Sequence, residues 1–134
     1  DAIPGAGALG GIYTAIVESP RDRTLVVACD MPFLSPALLA RMAAEDADVV
    51  IPRGERGYEP LCAIYAKACA PLMRQRIERG EFQASILPAG LRVVELGPDV
   101  LDAYDPEGLA FVNINTPHDY ARARELADRI TEDN

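Results

Sequence analysis

Asp30 is an acidic residue placed where an apolar run ends and a proline-bounded turn begins, in the stretch LVVACDMPFLSP of residues 25–36. A carboxylate is costly to bury without a partner, so Asp30 either reaches water at a rim or holds a positively charged group. The spacing fits a site residue presented to a crevice. It fits equally well an aspartate that caps the turn through its own backbone.

A glycine-rich stretch near the start of the chain, PGAGALGG of residues 4–11, precedes an apolar segment with helical character. Backbone N–H groups in such a turn can approach a phosphate closely. The stretch matches neither the GxGxxG nor the GxxxxGK[ST] pattern, so taken alone it favours a simple loop over a phosphate-binding turn.

Two asparagines, Asn113 and Asn115, alternate along the predicted strand in FVNINTP of residues 111–117 and therefore share one face. Each amide offers donors and an acceptor, so the pair could read the polar edge of a heterocycle. The alternative is that both amides satisfy loop backbone groups at the end of the strand.

The remaining polar residues have simpler interpretations. Glu59, before Pro60, fits a site or a surface, and His118, the single histidine, fits a helix start.

The three cysteines have no zinc-like spacing and are expected to be buried free thiols rather than redox or metal groups. They are Cys29, Cys62 and Cys69. The group Arg74, Arg76 and Arg79 is expected to form a solvated helix face.

The elements that must position these residues alternate between strand and helix. Short β-branched or apolar runs predict strands at 24–30, 47–52, 60–66, 91–96 and 110–115, and helical patterns cover 7–19, 35–46, 69–81 and 116–131. Ser35–Pro36 and Thr116–Pro117 are typical helix starts, and Gly80 suits a helix end. Residues 53–59 have the length of a loop between neighbouring strands. The order predicts one α/β domain over residues 1–134, with a mostly parallel sheet and helices on both faces. Ligands then collect beyond the carboxyl ends of the strands, where Asp30 stands.

Composition limits the partners. The formal net charge of −8 and the lack of a Lys/Arg run argue against nucleic acid or an anionic membrane as a partner. The chain has no apolar stretch long enough to cross a bilayer and no charged-then-apolar leader, so a cytoplasmic protein is expected.

Four blocks together resemble the molybdenum cofactor guanylyltransferase family, the molybdopterin-guanine dinucleotide synthesis protein A family. They are DAIPGAGALGGIYTAI, LVVACDMPFL, YEPLCAIY and FVNINTPHDY, in this order from Asp1 to Tyr120. The resemblance implies a three-layer, Rossmann-like nucleotidyltransferase fold. It also implies an enzyme that transfers the GMP part of GTP to Mo-molybdopterin and releases pyrophosphate with the help of Mg²⁺.

The resemblance assigns roles to individual residues. Asp30 becomes the catalytic magnesium ligand and a nucleotide contact, and Asp1 matches an acid that contacts GTP. Gly7, Gly10 and Gly11 occupy the nucleotide-binding glycine block, in which Ala8 replaces the usual proline. Asn113 and Asn115 match asparagines near the pterin substrate.

The chain departs from the family by an absence. It contains no Leu-x-Gly-Gly-x-Ser-x-Arg-Met-Gly-x-Asp-Lys signature and begins at Asp1, so we expect it to be the C-terminal portion of a nucleotidyltransferase domain whose first strand-helix units are missing.

Other functions fit the same residues. A cytidylyltransferase for the same cofactor shares the fold, although Met31 stands where such relatives tend to have glutamine. Another nucleotidyltransferase and a non-catalytic pterin-binding module are the remaining alternatives. Transient contact with molybdoenzymes or with other cofactor-synthesis proteins is also expected of the family.

Overall fold

The protein, described by a computed structural model over residues 7–28, 30–31, 33–54, 57–111, 121 and 125, alternates strands with helices. In chain order the elements are α1 (Gly7–Glu18), β1 (Arg23–Val27), α2 (Pro36–Ala43), β2 (Val49–Gly54), β3 (Gly57–Tyr58), β4 (Cys62–Ala66), α3 (Cys69–Glu78), β5 (Val93–Leu96) and α4 (Pro98–Tyr104). The predicted strand at 110–115 and the predicted helix at 116–131 lie almost entirely outside the described residues. Within them, Ala121 and Glu125 are helical.

The helix boundaries follow local chemistry. The Ser35 hydroxyl accepts a 3.2 Å hydrogen bond from the Leu38 N–H, and Pro36 fills the first helical position, as the sequence predicts for α2. Gly80 follows α3 with a φ of +77°, a conformation that favours glycine. The sequence interpretation missed α4, a helix of seven residues. Its signals are Pro98 at the first position and Asp99 in the first turn.

The five-stranded sheet has the order β1-β4-β2-β3, with β5 paired to β2. The expectation of a mostly parallel sheet is wrong for its hydrogen-bonded pairs. Among the strands that the structure describes, β4 is antiparallel to both β1 and β2, β3 is antiparallel to β2, and only β5 pairs in parallel. A parallel connection needs a crossover of a dozen or more residues, and the chain returns from β2 to β4 through a short hairpin. β1, β2 and β5 still run in the same direction, and they end at one edge of the sheet, the carboxyl edge.

The hairpin contains a bulge at the carboxyl edge. Arg53 pairs with Tyr58 and Val50 pairs with Ile64. These pairs are three positions apart on β2 but six positions apart on the returning chain, which therefore carries three extra residues. The extra residues, 59–61, form a turn in which the Glu59 carbonyl accepts a 3.0 Å hydrogen bond from the Cys62 N–H. This bulge fixes Glu59 beside the ends of β1 and β2.

Helices cover both faces of the sheet, as expected for a three-layer α/β fold. One core lies between the sheet and α1 with α3, and its strand residues are Val49, Ile51, Ala63 and Tyr65. The other core lies between the sheet and α2 with α4, and its strand residues are Val50, Cys62, Ile64 and Leu96. The alternation along β2 and β4 sends successive side chains to opposite cores.

The arginine group on α3 does not behave as one solvated face. Arg74 and Arg79 are exposed, as expected, whereas the Arg76 side chain is buried and the expectation is wrong for it. Its guanidinium donates to the carbonyl oxygens of Gln83, at 2.7 Å, and of Ile86. Five N–H donors on one planar group suit this task, because Arg76 thereby holds the loop between α3 and β5.

Among the described residues, no helix combines the length and the apolar character that crossing a membrane requires.

Candidate functional site

Asp30 lies in the turn that follows β1, at the carboxyl edge. Beyond the end of β1, the Ala28 N–H donates a 2.8 Å hydrogen bond to the Leu61 carbonyl, which ties this segment to the bulge. Asp30 is half-buried, whereas the neighbouring Met31 is 8% exposed and packs in the core beneath α2. The carboxylate therefore stands at the rim of the sheet, and the burial of Met31 gives no support to a direct contact with a nucleotide base.

The start of α1 reaches the same edge. α1 and β1 are joined by only four residues, so the helix runs back along the strand. Its 12 residues span about 18 Å and the five residues of β1 about 17 Å, which brings Gly7 level with the end of β1. Gly7 is exposed with a φ of +60°, and the N–H groups of a first helical turn have no acceptor within the helix.

Gly10 and Gly11 lie further along the same helix. Gly10 is buried and its carbonyl accepts a 2.9 Å hydrogen bond from the Thr14 hydroxyl, while Gly11 is half-buried. Their contact with a nucleotide stays a prediction. Asp1, Asn113 and Asn115 lie outside the described residues, as does Cys29.

A cavity of about 470 Å³ opens at the carboxyl edge beside α4, and we call it the hairpin cavity. Gly54 and Glu59 line it from the β2–β4 hairpin, and Leu101 and Phe111 supply apolar surface. Its further acidic lining residues are Asp102, Asp105 and Glu107. Carboxylates accept N–H donors and repel phosphates, so the lining suits the nitrogen-rich edge of a neutral ring better than an anion.

A second cavity, of about 290 Å³, lies on the other side of residues 105–107 and is called the turn cavity. Its lining includes Phe33, Leu34 and Ser35 from the segment that follows Asp30, together with Tyr104 and Leu109. The two cavities thus flank a single short stretch of chain after α4.

A polar cluster occupies the opposite face of the carboxyl edge. The Tyr58 hydroxyl hydrogen-bonds to the Glu95 carboxylate, which also lies 3.6 Å from the Arg53 guanidinium. The Arg53 guanidinium stacks 5.6 Å from the centre of the Tyr58 ring. The hydrogen bond to Glu95 raises the pKa of Tyr58, so this tyrosine stays protonated and links β2, β3 and β5.

The donor set limits how a metal ion could bind. Within the described ranges, no group of three or more His, Cys, Asp or Glu side chains is arranged to hold one. Mg²⁺ commonly takes one or two carboxylates and completes its shell with substrate phosphates and water. Asp30, a half-buried carboxylate at an open edge, fits that mode of binding.

The thiols belong to the core rather than to the site. Cys62 and Cys69 are free and fully buried, as the sequence predicts. Burial raises the pKa of Cys62 to about 12 and that of Cys69 to about 11, so neither thiol is ionised near neutral pH.

Sequence reasoning left Glu59 undecided and overlooked Asp102, Asp105 and Glu107. The segment YDPEG of residues 104–108 carries the signal, since Asp, Pro and Gly at this spacing favour a turn. That signal predicts a turn but does not indicate that two cavities meet there.

Comparisons with known proteins agree with this architecture. The family model described as the MobA-like NTP transferase domain matches residues 1–95. A protein of Pelotomaculum thermopropionicum named probable molybdenum cofactor guanylyltransferase is 35% identical over 130 residues, which cover 96% of this chain and 63% of that protein. A molybdenum cofactor guanylyltransferase of Desulfosudis oleivorans is 31% identical over 120 residues, covering 87% of this chain and 59% of the relative.

A solved structure shares the fold as well. Molybdopterin-guanine dinucleotide biosynthesis protein A from Archaeoglobus fulgidus superposes with a TM-score of 0.75 and 31% sequence identity. The match covers 92% of this chain and 64% of that one. The chain therefore spans about three fifths of the length of the relatives that it matches.

Proposed function

The chain belongs to the MobA-like NTP transferase domain family, and on this premise we propose that its protein is a molybdenum cofactor guanylyltransferase. The reaction transfers GMP from GTP to Mo-molybdopterin and yields the guanine dinucleotide form of the cofactor. The names of the similar proteins support the choice of substrates. The structural observation that supports the proposal is that Asp30, in the turn after β1, and the first turn of α1 both lie toward the carboxyl edge of the sheet.

The reaction requires neutralisation of the negative charge on the phosphates more than it requires a general base. A terminal phosphate oxygen of molybdopterin attacks the α-phosphorus of GTP, the bond to the bridging oxygen breaks, and pyrophosphate leaves. The attacking phosphate is already ionised near neutral pH, so no side chain has to remove a proton. The single histidine, His118, is not required as a base.

Asp30 is the residue proposed to hold Mg²⁺ together with the GTP phosphates. When bound, Mg²⁺ supplies Lewis-acid neutralisation of the reacting phosphates. The N–H groups at the start of α1, including that of Gly7, bind phosphate oxygens, since the positive end of a helix favours an anion. Asp1, Gly10 and Gly11 are proposed as further nucleotide contacts.

The second substrate is proposed to place its pterin ring toward the hairpin cavity. The carboxylate lining accepts N–H donors of the ring and repels the phosphate, which directs that phosphate toward the GTP side. Asn113 and Asn115, which begin two residues beyond Phe111, are proposed to complete recognition of the ring.

The cellular location and the partners of the protein follow from the same proposed function. We propose that it works in the cytoplasm, where reducing conditions suit the free thiols Cys62 and Cys69. Transfer of the product by transient contact with molybdoenzymes or other cofactor-synthesis proteins belongs to the same proposal.

The decisive experiment incubates the intact protein with Mo-molybdopterin and nucleotide labelled at the α-phosphate. We expect label to enter the pterin product with GTP, with one pyrophosphate released per transfer, and much less with CTP. Preferred transfer from CTP would identify a cytidylyltransferase. Tight molybdopterin binding without transfer from either nucleotide would indicate a non-catalytic binding module.

A further inference from the structure

The bulge of the β2–β4 hairpin holds the backbone of Glu59 in one place. The Glu59 N–H donates a 3.0 Å hydrogen bond to the Pro52 carbonyl, and the Glu59 carbonyl accepts a 3.0 Å bond from the Cys62 N–H. Pro60, the next residue, restricts Glu59 to extended backbone conformations, and its own carbonyl accepts a 2.7 Å hydrogen bond from the Tyr65 hydroxyl. Tyr65 is 1% exposed, so the bulge is anchored directly in the core.

The side chain of Glu59 lines the hairpin cavity. It is half-buried, and burial and then the negative charge of Glu59 raise the pKa of Cys62 to about 12, so the carboxylate lies close to the start of β4. The other acids of the lining differ. Asp102 and Glu107 are exposed, and the two carboxylate oxygens of Asp105 accept hydrogen bonds from backbone N–H groups of its own turn. Glu59 therefore combines partial burial with a fixed backbone, as a ligand-binding carboxylate requires.

The remaining surface of the hairpin cavity suits a flat ring. Apolar surface comes from Pro98, Leu101, Pro106 and Phe111, and the volume of about 470 Å³ lies in the range of small-molecule sites, roughly 300–1,000 Å³. A ring packed on this surface presents its polar atoms at its edge, where Glu59 can meet them. A carboxylate has two acceptor oxygens and accepts two parallel N–H donors. The cavity therefore favours a ring edge that carries two adjacent donors.

We propose that Glu59 is the residue that selects the ring of the second substrate. The pterin ring of molybdopterin carries an amino group next to a ring N–H, which is a pair of donors that one carboxylate can accept. The inference rests on the proposed function, which places this ring toward the hairpin cavity. Guanine presents the same two donors, so the test has to separate the pterin substrate from GTP.

The donor pattern predicts which ring each variant prefers. Glu59→Gln keeps the size of the side chain but replaces one of its two acceptor oxygens with an NH₂ donor. Lumazine is the analogue of pterin that has a carbonyl oxygen in place of the amino group, so its edge presents one donor and one acceptor and matches this variant. Glu59→Asp keeps both acceptor oxygens on a shorter side chain.

The experiment titrates pterin and lumazine separately into the intact protein and into each variant, with thermal unfolding to confirm the fold. The unmodified protein should bind pterin at least about tenfold more tightly than lumazine, as expected of a bidentate contact. Glu59→Gln should lose or reverse this preference, whereas Glu59→Asp should keep it. Asp99→Asn is the control and should leave the preference unchanged, because Asp99 is exposed in the first turn of α4, next to the cavity residue Pro98.

A pair of nucleotides separates the pterin from guanine. ITP lacks the amino group of GTP, so titration of both nucleotides measures how strongly that group is recognised. We expect the ratio of the two affinities to be the same in Glu59→Gln as in the unmodified protein. A changed ratio would show that Glu59 acts on the guanine and would overturn its assignment to the second substrate. Equal binding of pterin and lumazine by the unmodified protein, or an unchanged preference in Glu59→Gln, would overturn it as well.

The ring titrations need no catalysis, so failure of this inference is distinct from failure of the proposed function. If the unmodified protein transfers no GMP but Glu59→Gln loses the pterin preference, the proposed function fails and the role of Glu59 stands. If GMP is transferred and the preference is unchanged in Glu59→Gln, the proposed function stands and the role of Glu59 fails.

Discussion

The ammonium group of Lys67 donates a 2.7 Å hydrogen bond to the carbonyl oxygen of Ile16, in the last turn of α1. It also donates to the carbonyl oxygen of Ser19 at 2.5 Å, and the backbone N–H of Lys67 donates to the carbonyl oxygen of Asp22 at 2.8 Å. One residue after β4 thereby satisfies the end of the helix whose other end reaches the candidate site. A cation suits this place because the carboxyl end of a helix carries partial negative charge.

Replacing Lys67 with methionine should destabilise the protein by about 1–2 kcal/mol, since the carbonyls at the end of α1 lose a charged donor while the aliphatic packing is kept. Urea unfolding measures the free energy of unfolding directly. Arg92→Met is the matched control, because Arg92 is an exposed cation before β5. Equal destabilisation by the two variants would show that Lys67 stabilises the protein only through its positive charge and not through its hydrogen bonds to the end of α1.

The positions of β1, β2, β4 and β5 could be predicted from the sequence, whereas β3 lies inside the predicted loop at 53–59 and the strand directions could not be predicted. The apolar runs around Val50 and Ile64 form strands that are buried on both faces, and the run around Val26 forms a strand in which Leu25 and Val27 stay exposed. Direction depends on the length of the connection, and the short hairpin after β2 reverses the chain. The pattern of apolar residues within a strand does not reveal that reversal.

The candidate site could likewise be predicted only in part from the sequence. The position of Asp30 beyond β1 follows from a strand that ends in a turn, and the structure agrees. The burial of Arg76, and the hydrogen bonds that the Asp105 carboxylate accepts from the Leu109 and Ala110 N–H groups, depend on backbone groups of neighbouring loops, which side-chain spacing does not reveal.

Asp30→Asn tests the proposed metal ligand. The substitution preserves size and removes the charge, so turnover of the intact protein should fall by more than the roughly 10- to 100-fold that loss of a residue behind a metal ligand costs. Thermal unfolding should show a retained fold. Asp46→Asn, which alters an exposed acid between α2 and β2, serves as the control. Near-normal turnover at saturating GTP and ordinary Mg²⁺ would reject the assignment of Asp30.

The paired amides can be tested by changing both Asn113 and Asn115 to alanine. If they recognise the pterin ring, molybdopterin binding should weaken far more than GTP binding, because the lost hydrogen bonds belong to one substrate. Titration of each ligand separately gives both dissociation constants. An equal loss of both affinities would favour the alternative, in which the amides satisfy backbone groups at the end of a strand.

Burial of Cys62 and Cys69 predicts a pH dependence of stability. Their pKa values are raised from 9.0 to about 12 and about 11, so the folded state keeps both thiols protonated where the unfolded chain ionises. This contribution to stability is fully present below pH 9 and is lost as the pH rises through 11 and 12. Urea unfolding at pH 8 and pH 10 should show lower stability at pH 10. In the Cys62→Ala/Cys69→Ala variant the difference should shrink, and an unchanged difference would contradict this origin.

The outer edge of β1 should make the 134-residue chain prone to self-association. Within the described residues β1 pairs with β4 alone, and the apolar side chains Leu25 and Val27 are 43% and 39% exposed. An unpaired, apolar strand edge offers N–H and C=O groups to a second chain, and lysine on such an edge blocks that pairing. Leu25→Lys combined with Val27→Lys should therefore shift the chain toward monomer in sedimentation velocity. Val17→Lys removes an apolar side chain that is 49% exposed on α1, so it is the control that keeps the strand edge intact. A monomeric unmodified chain, or equal relief of association by the control, would show that the β1 edge does not drive self-association.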